Sequence, residues 1–359
     1  MASILHEYAT STVVLTTAAV LLVGVAAQLL ARRLELPVIL FLLGAGVALG
    51  PYGLGWIQPA LYGSGLRAVV AISVAVIVFQ GAMAIDLRHL IHTSRSVISL
   101  ASIGALTTLA LAAVATHYLV GYPWLIAALF GAIVCVTGPT VIGPVLARLP
   151  LHRRLKTILE AESVLVDAIG VLLTAAVFSY ITGSTGGVLG GLLQLGINLV
   201  IGVGLGLALG GLLALVLQRQ HTWPSGHVRL LVLAVALLCY GVSESLAHES
   251  GIAAVATAGL VFGSVKSPSE ETIKQFTGDL QQIALSLVFI LLAASVDLSR
   301  LRHFGWPELA VVLILMFLVR PFAVGLATLG SALNWREKAF IAWMGPRGVV
   351  ATAMASLMS

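Results

Sequence analysis

The chain has 359 residues, of which 59% are hydrophobic and 9% charged, with a formal net charge of +5 and a mean hydropathy of +1.08. A soluble domain carries roughly 25% charged residues, so a surface wetted on all sides is excluded and lipid must cover much of the protein. The basic excess does not point to nucleic acid, because its placement along the chain follows the membrane instead.

A membrane span needs about 20 apolar residues. On that measure the chain reads as an all-α polytopic membrane protein of twelve helices, at about 12–31, 35–50, 66–85, 97–119, 124–146, 156–183, 187–218, 228–247, 250–264, 280–298, 306–332 and 337–359. The first eleven residues hold no Lys or Arg, so the opening apolar run is expected to be a retained helix and not a secretory signal. Gly183 to Gly191 reads as a glycine-rich loop feeding a helix, and no soluble domain is expected. Cys135 and Cys239 sit in apolar runs and are expected to be buried free thiols.

The basic residues test the helix count. With the N-terminus outside, Arg32, Arg33, Arg88, Arg95, Arg148, Arg153, Arg154, Lys156, Arg219, Arg229, Lys266, Lys274, Arg336 and Lys338 fall on the cytoplasmic side, 14 of the 19 Lys and Arg. Arg67, Arg300 and Arg302 fall opposite, and Arg320 and Arg347 lie within helices. That asymmetry is the positive-inside pattern, and one helix more or fewer in the middle would scramble it.

Ionisable groups at membrane depth are costly and mark function. Asp167 lies eleven residues beyond Lys156, about 16 Å into the sixth helix, and Arg347 lies ten beyond Glu337, about 15 Å into the twelfth. Ser163 shares the Asp167 face, four residues away. Glu162 is rotated about 140° from Asp167, so it turns toward another helix, where Arg347 is the expected partner. Glu160 reads as a surface residue. Arg320, just before Pro321, is open to either an acid or freed carbonyls. Glu244, His248 and Glu249, and Asp279 and Asp297, lie near helix ends and read as solvated or interfacial.

Two helices are interrupted. The fifth contains Thr137-Gly138-Pro139 and then Gly143-Pro144; the twelfth contains Gly345-Pro346-Arg347-Gly348. Proline removes a backbone donor and glycine loosens the helix, and unwound backbone survives at membrane depth only in a cavity or inside protein. The breaks are seven helices apart on helices running in opposite directions, as an inverted repeat requires, and such paired interruptions point to an ion site.

These residues resemble the monovalent cation:proton antiporter superfamily, in its sodium/proton exchanger branch, over nearly the whole chain. Leu159-Glu-Ala-Glu-Ser-Val-Leu-Val-Asp167 resembles the branch's Glu-Ser-x-x-Asn-Asp signature. Gly345-Pro-Arg-Gly348 resembles its late arginine motif, Phe79-Gln-Gly81 with Ile85-Asp86-Leu87 its third-helix motif, and Thr137-Gly-Pro139 its Thr-Asp-Pro.

The resemblance implies two inverted six-helix repeats with crossed broken helices, here 1–183 and 227–359, joined by a linker helix at 184–226. It also implies a homodimer whose panel supports a mobile core. Asp167 would bind cation and proton in turn, with Ser163, Thr137 and Gln80 in the cation site and Glu162 and Arg347 as a bracing pair. A thirteenth helix and a cytosolic tail, usual in the family, are not visible. The implied activity is Na⁺ or K⁺ exchange for H⁺, a transporter and not an enzyme, with no cofactor and no metal beyond the monovalent cation. The expected place is the plasma (inner) membrane.

Three positions depart from the family pattern. Val166 stands before the aspartate, Gly138 replaces the Asp of Thr-Asp-Pro, and Gln80 replaces a Glu. Each removes a polar or charged group, and with one aspartate in place of an adjacent pair the expected exchange is electroneutral, one for one. A site with fewer charges favours an easily dehydrated cation, which makes K⁺ a rival to Na⁺. An organic-anion symporter of the same fold and a cation channel remain the alternatives of another class. An intramembrane hydrolase has no His-Glu-x-x-His pair to support it.

Overall fold

In lipid every backbone N–H and C=O must bond within the protein, and an α-helix achieves this within one segment. The apolar runs do form helices. The computed structural model describes residues 2–85, 95–138, 146, 149, 151–181, 188–219, 223–265, 270–297, 299 and 305–345. In chain order the helices are α1 (Ala2–Leu34), α2 (Val38–Leu49), α3 (Ser64–Met83), α4 (Arg95–Val120), α5 (Trp124–Cys135) and α6 (Arg153–Ile181). They continue with α7 (Val188–Arg219), α8 (Ser225–Leu246), α9 (Gly251–Gly263), α10 (Glu270–Ser295), α11 (Trp306–Ala327) and α12 (Trp335–Trp343). Eight of these helices are long and apolar enough to cross a membrane, while α2, α5 and α9 are shorter apolar helices. Exposed Leu, Ile, Val and Phe side chains on α1, α4, α7 and α11 form the surface that lipid covers.

Local signals set the helix ends. Proline at 37, 123 and 224 precedes α2, α5 and α8, where its missing N–H costs nothing. Gly121, with φ +81°, closes α4 by donating to the His117 carbonyl. Asn334 caps α12: it accepts from the Glu337 N–H at 2.9 Å while Glu337 accepts from the Asn334 N–H at 2.8 Å.

The helices fall into two groups. Helices α1, α2, α3, α7, α8, α9 and α10 pack on one another, and α4, α5, α11 and α12 pack on one another. Among the described residues, α6 makes the extensive contacts between the groups, meeting α3, α7 and α9 on one side and α4 and α5 on the other. Close approach holds the first group together. A Cβ at Gly202, Gly206 or Gly210 of α7 would strike the backbone or small side chains of α9 and the Ser250 that precedes it. Small residues let membrane helices approach in this way.

Matching irregularities recur seven helices apart. Helices α2 and α9 are both short. Helices α4 and α11 each contain a π-helical turn, Leu100–Gly104 and Leu315–Val319, and these antiparallel helices pack with each π turn against the other helix. The turn in α11 directly precedes Arg320-Pro321, where proline removes a donor.

Several boundaries differ from the sequence expectation. α10 begins at Glu270, ten residues before the expected 280, because its polar first turns still bury Ile273 and Thr277. Asp279 therefore lies inside a helix and not at its end. α5 stops at Cys135 and α12 at Trp343, earlier than the hydropathy suggested, because the backbone leaves the helix ahead of each Gly-Pro. α11 ends at Ala327 and not 332, in a turn that reaches Gly330 at φ +71°.

Candidate ion-binding site

The site is built on α6, the helix between the two groups. Charged residues lie at its first turns, at Arg153, Arg154, Lys156 and Glu160, and the mostly apolar remainder carries polar groups at Glu162, Ser163, Asp167 and Thr174 before its last turn. Those four are fully or almost fully buried, at 0 to 1% exposure. Glu160 keeps partial solvent contact and lies 3.8 Å from Lys156 one turn away, as a rim residue would.

Asp167 Oδ1 and Thr137 Oγ1 are both buried with no hydrogen-bond partner among the described residues. Thr137 lies in the non-helical stretch Val136–Gly138 that follows α5. That stretch rests on α6 one turn beyond Asp167: a Cβ at Gly170 would overlap the Val136 side chain. Buried polar atoms are normally paired, so two orphaned oxygens beside a broken helix mark a place where a positive group fits. Ser163 Oγ donates to the Glu160 carbonyl at 2.8 Å, which uses its proton and leaves its lone pairs free to face a cation.

Glu162, rotated away from Asp167, meets Arg320, while the expected partner Arg347 lies outside the described residues. Arg320 of α11 donates from Nη2 to Glu162 Oε1 at 2.7 Å, with side-chain exposures of 8% and 0%. Arg320 is thus the residue that sequence reasoning left unassigned. The signal was depth. Counted from the true end of α11 at Ala327, Arg320 lies about 10 Å in; counted from Arg153, Glu162 lies about 13 Å in, from the same side. An expected helix end five residues too late hid the match. Arg347 and Pro346 lie outside the described residues, as do Pro139, Gly143, Pro144 and Asp86. The second break still comes into view at Gly345, where a Cβ would lie 2.9 Å from Arg320 Nε. Each break therefore abuts a helix carrying a buried charge.

Gln80 is tied elsewhere. Its Oε1 accepts from Thr277 Oγ1, which links α3 to α10. At the other end of the membrane, Glu244 is not simply solvated. Its carboxylate accepts from the Glu249 N–H at 2.9 Å and the Gly251 N–H at 3.2 Å, capping the start of α9. Tyr52 donates to Asp297, and both cysteines are buried and form no disulfide.

Comparison with known proteins gives the family and the fold. The family model described as "Sodium/hydrogen exchanger, transmembrane" matches residues 17–359. The Na(+)/H(+) antiporter 1 of Methanocaldococcus jannaschii is 30% identical over 355 residues, covering 93% of this chain and 80% of that one. The K(+)/H(+) antiporter NhaP2 of Shewanella sp. strain MR-4 is 28% identical, covering 90% of this chain and 56% of that longer protein. The structure of the sodium proton antiporter MjNhaP1 from Methanocaldococcus jannaschii at pH 8 superposes with a TM-score of 0.81 at 29% identity, covering 95% of this chain and 86% of that one.

Proposed function

The chain belongs to the sodium/hydrogen exchanger family, and on that premise we propose that it exchanges Na⁺ for H⁺ through one carboxylate, Asp167. The observation that carries this reading is the pair of buried, unpartnered oxygens, Asp167 Oδ1 and Thr137 Oγ1, beside the broken end of α5. A bare carboxylate away from water is expensive, so Asp167 is occupied either by a proton or by a cation. The two cannot share it, and that competition couples their fluxes. Ser163 and Thr137 supply neutral oxygens to the cation; Gln80, engaged with Thr277, stands further back in this reading.

The bracing pair is Glu162 with Arg320, and Arg347 remains a second candidate partner for the same carboxylate. Helices α4, α5, α6, α11 and α12 move together against the remaining seven, carrying Asp167 from one side to the other. The position of α6 between the groups supports this motion. The irregularities seven helices apart support two inverted repeats, 1–183 and 227–359, with a linker at 184–226. A homodimer in the plasma membrane, with the N-terminus outside, completes the reading.

K⁺ is the second reading, and Val166 favours it. This residue is 2% exposed and places an apolar side chain next to Asp167, and Gly138 brings no charge to the break. A weakly charged site dehydrates K⁺ more easily than Na⁺. Proteoliposomes containing a pH dye, given Na⁺, K⁺ and Li⁺ in turn, test both readings. A cation-dependent proton efflux names the ion, and its insensitivity to a clamped membrane potential establishes one-for-one exchange. Cation flux without proton movement would replace the antiporter reading with a channel.

A further inference from the structure

A second site lies at the end of α4 that carries Arg95. A cavity of about 420 Å³ opens between the first turns of α4 and the end of α11, lined by Arg95, Ser96, Ser99, Ile103, Leu326 and Gly330 among others. The last carbonyls of a helix are unsatisfied acceptors, and here they are already used. The Ala327 carbonyl accepts from Ser99 Oγ. The Thr328 carbonyl accepts from Lys338 Nζ at 3.1 Å and from Ser331 Oγ at 2.8 Å. What remains open toward the cavity is donors. Arg95 is exposed with no ion-pair partner among the described residues, and the Ser96 hydroxyl has none either. Among the described residues no acid lines the cavity, and Glu337, the acid beside Lys338, is occupied with Asn334.

The cavity is polar at one end and apolar at the other. Ile103 and Leu326 form its inner wall, and one turn deeper Leu106 and Phe322 continue the apolar surface, each 39 to 59% exposed. A free anion would use only the donors; a phospholipid uses both halves. We propose that this cavity binds a phospholipid of the leaflet on the basic side of the protein, its phosphoryl headgroup on Arg95 and Ser96 and an acyl chain along Ile103 and Leu326. Arginine holds phosphate oxygens through paired, charge-assisted hydrogen bonds. Basic residues next to membrane spans draw anionic lipid. The lipid would join α4 to α11, both in the group that carries the helix breaks. A consequence for transport rests on the antiport reading; the binding itself does not.

The test is native mass spectrometry of the delipidated full chain in detergent, titrated with a phosphatidylglycerol. Wild type retains one lipid, and Arg95→Gln weakens that binding about tenfold. Ile103→Trp fills the apolar limb and lowers binding by a similar factor while leaving every charge in place. Arg229→Gln, a basic residue elsewhere on the same side, leaves it unchanged. Each variant must melt and elute as wild type, and if Arg95→Gln fails to fold, Ile103→Trp decides. Undiminished binding in the folded cavity variants overturns the proposal, as does an equal loss in Arg229→Gln. Displacement of the lipid by millimolar inorganic phosphate would make the site one for free phosphate and would also overturn it.

Discussion

Glu162 and Asp167 lie five residues apart on α6, both 0 to 1% exposed, yet their surroundings are opposite. Glu162 faces Arg320 at 2.7 Å. Asp167 faces no cation among the described residues, and beside it lies a broken helix whose Thr137 oxygen is also unpartnered. A helix turns 100° per residue, so five residues place the two carboxylates on separate faces. One face holds a carboxylate matched through one oxygen by Arg320, which fixes how α6 sits on α11. The other holds a charge left unmatched, which a mobile ion can complete. Burial alone does not distinguish a structural carboxylate from a working one; the partner does.

The largest effect should come from emptying the working face. Asp167→Asn is expected to reduce exchange to the level of empty liposomes while the thermal melt stays at or above wild type, because no ion pair is lost. A melt that collapses with the substitution would move Asp167 into the structural class. The structural face should show the reverse. Arg320→Met takes from buried Glu162 the cation that meets it at 2.7 Å, a change expected to cost about 3–5 kcal/mol, read as a large drop in the unfolding midpoint in detergent. Adding Glu162→Gln should restore most of it, since removing both members of a buried pair is often near neutral. No recovery in the double variant would mean that Arg320 is held by something other than this carboxylate.

The comparison also shows what could be read from sequence and what could not. The helix count, the pairing of irregular helices, the depth of Asp167 and the rotation of Glu162 follow from hydropathy, the distribution of Lys and Arg, and helical geometry. The contact of Glu162 with Arg320 does not, because it depends on where α11 ends; the expected partner Arg347 lies outside the described residues. Gln80 shows the same limit. Its type and span were legible, but its bond to Thr277 required knowing that α10 extends ten residues before its apolar stretch, through polar turns that hydropathy discounts.

A smaller effect is expected at the contact between α6 and the broken end of α5. Gly170→Ala places a methyl group against Val136, overpacking that costs about 1–3 kcal/mol and shifts Thr137 relative to Asp167. The expected readout is a raised apparent KM for the cation with proton coupling retained. An unchanged KM would separate the break from the ion site.

Glu249, at the membrane rim between α8 and α9, supplies a third and intermediate carboxylate. Burial, and then the neighbouring Glu244 charge, raise its pKa from the ordinary 4.5 to about 7, with His248 acting in the opposite direction. The folded protein therefore holds this proton more tightly than the unfolded chain. Stability falls as pH rises from about 4.5 to about 7 and is level above that. The upper bound is about 3 kcal/mol, and partial exposure reduces the expected effect to about 1. Glu249→Gln should flatten that part of the stability profile and melt higher than wild type at pH 8. A variant that tracks the wild-type profile would show that Glu249 ionises freely.

The central claim is that proton and cation compete for Asp167. The direct measurement is proton release from purified protein in weakly buffered detergent as the transported cation is added, with cation binding followed by calorimetry on the same sample. Wild type should release close to one proton per cation bound near neutral pH, and Asp167→Asn should release none. Cation binding without proton release in wild type, or release that persists in Asp167→Asn, would contradict the account.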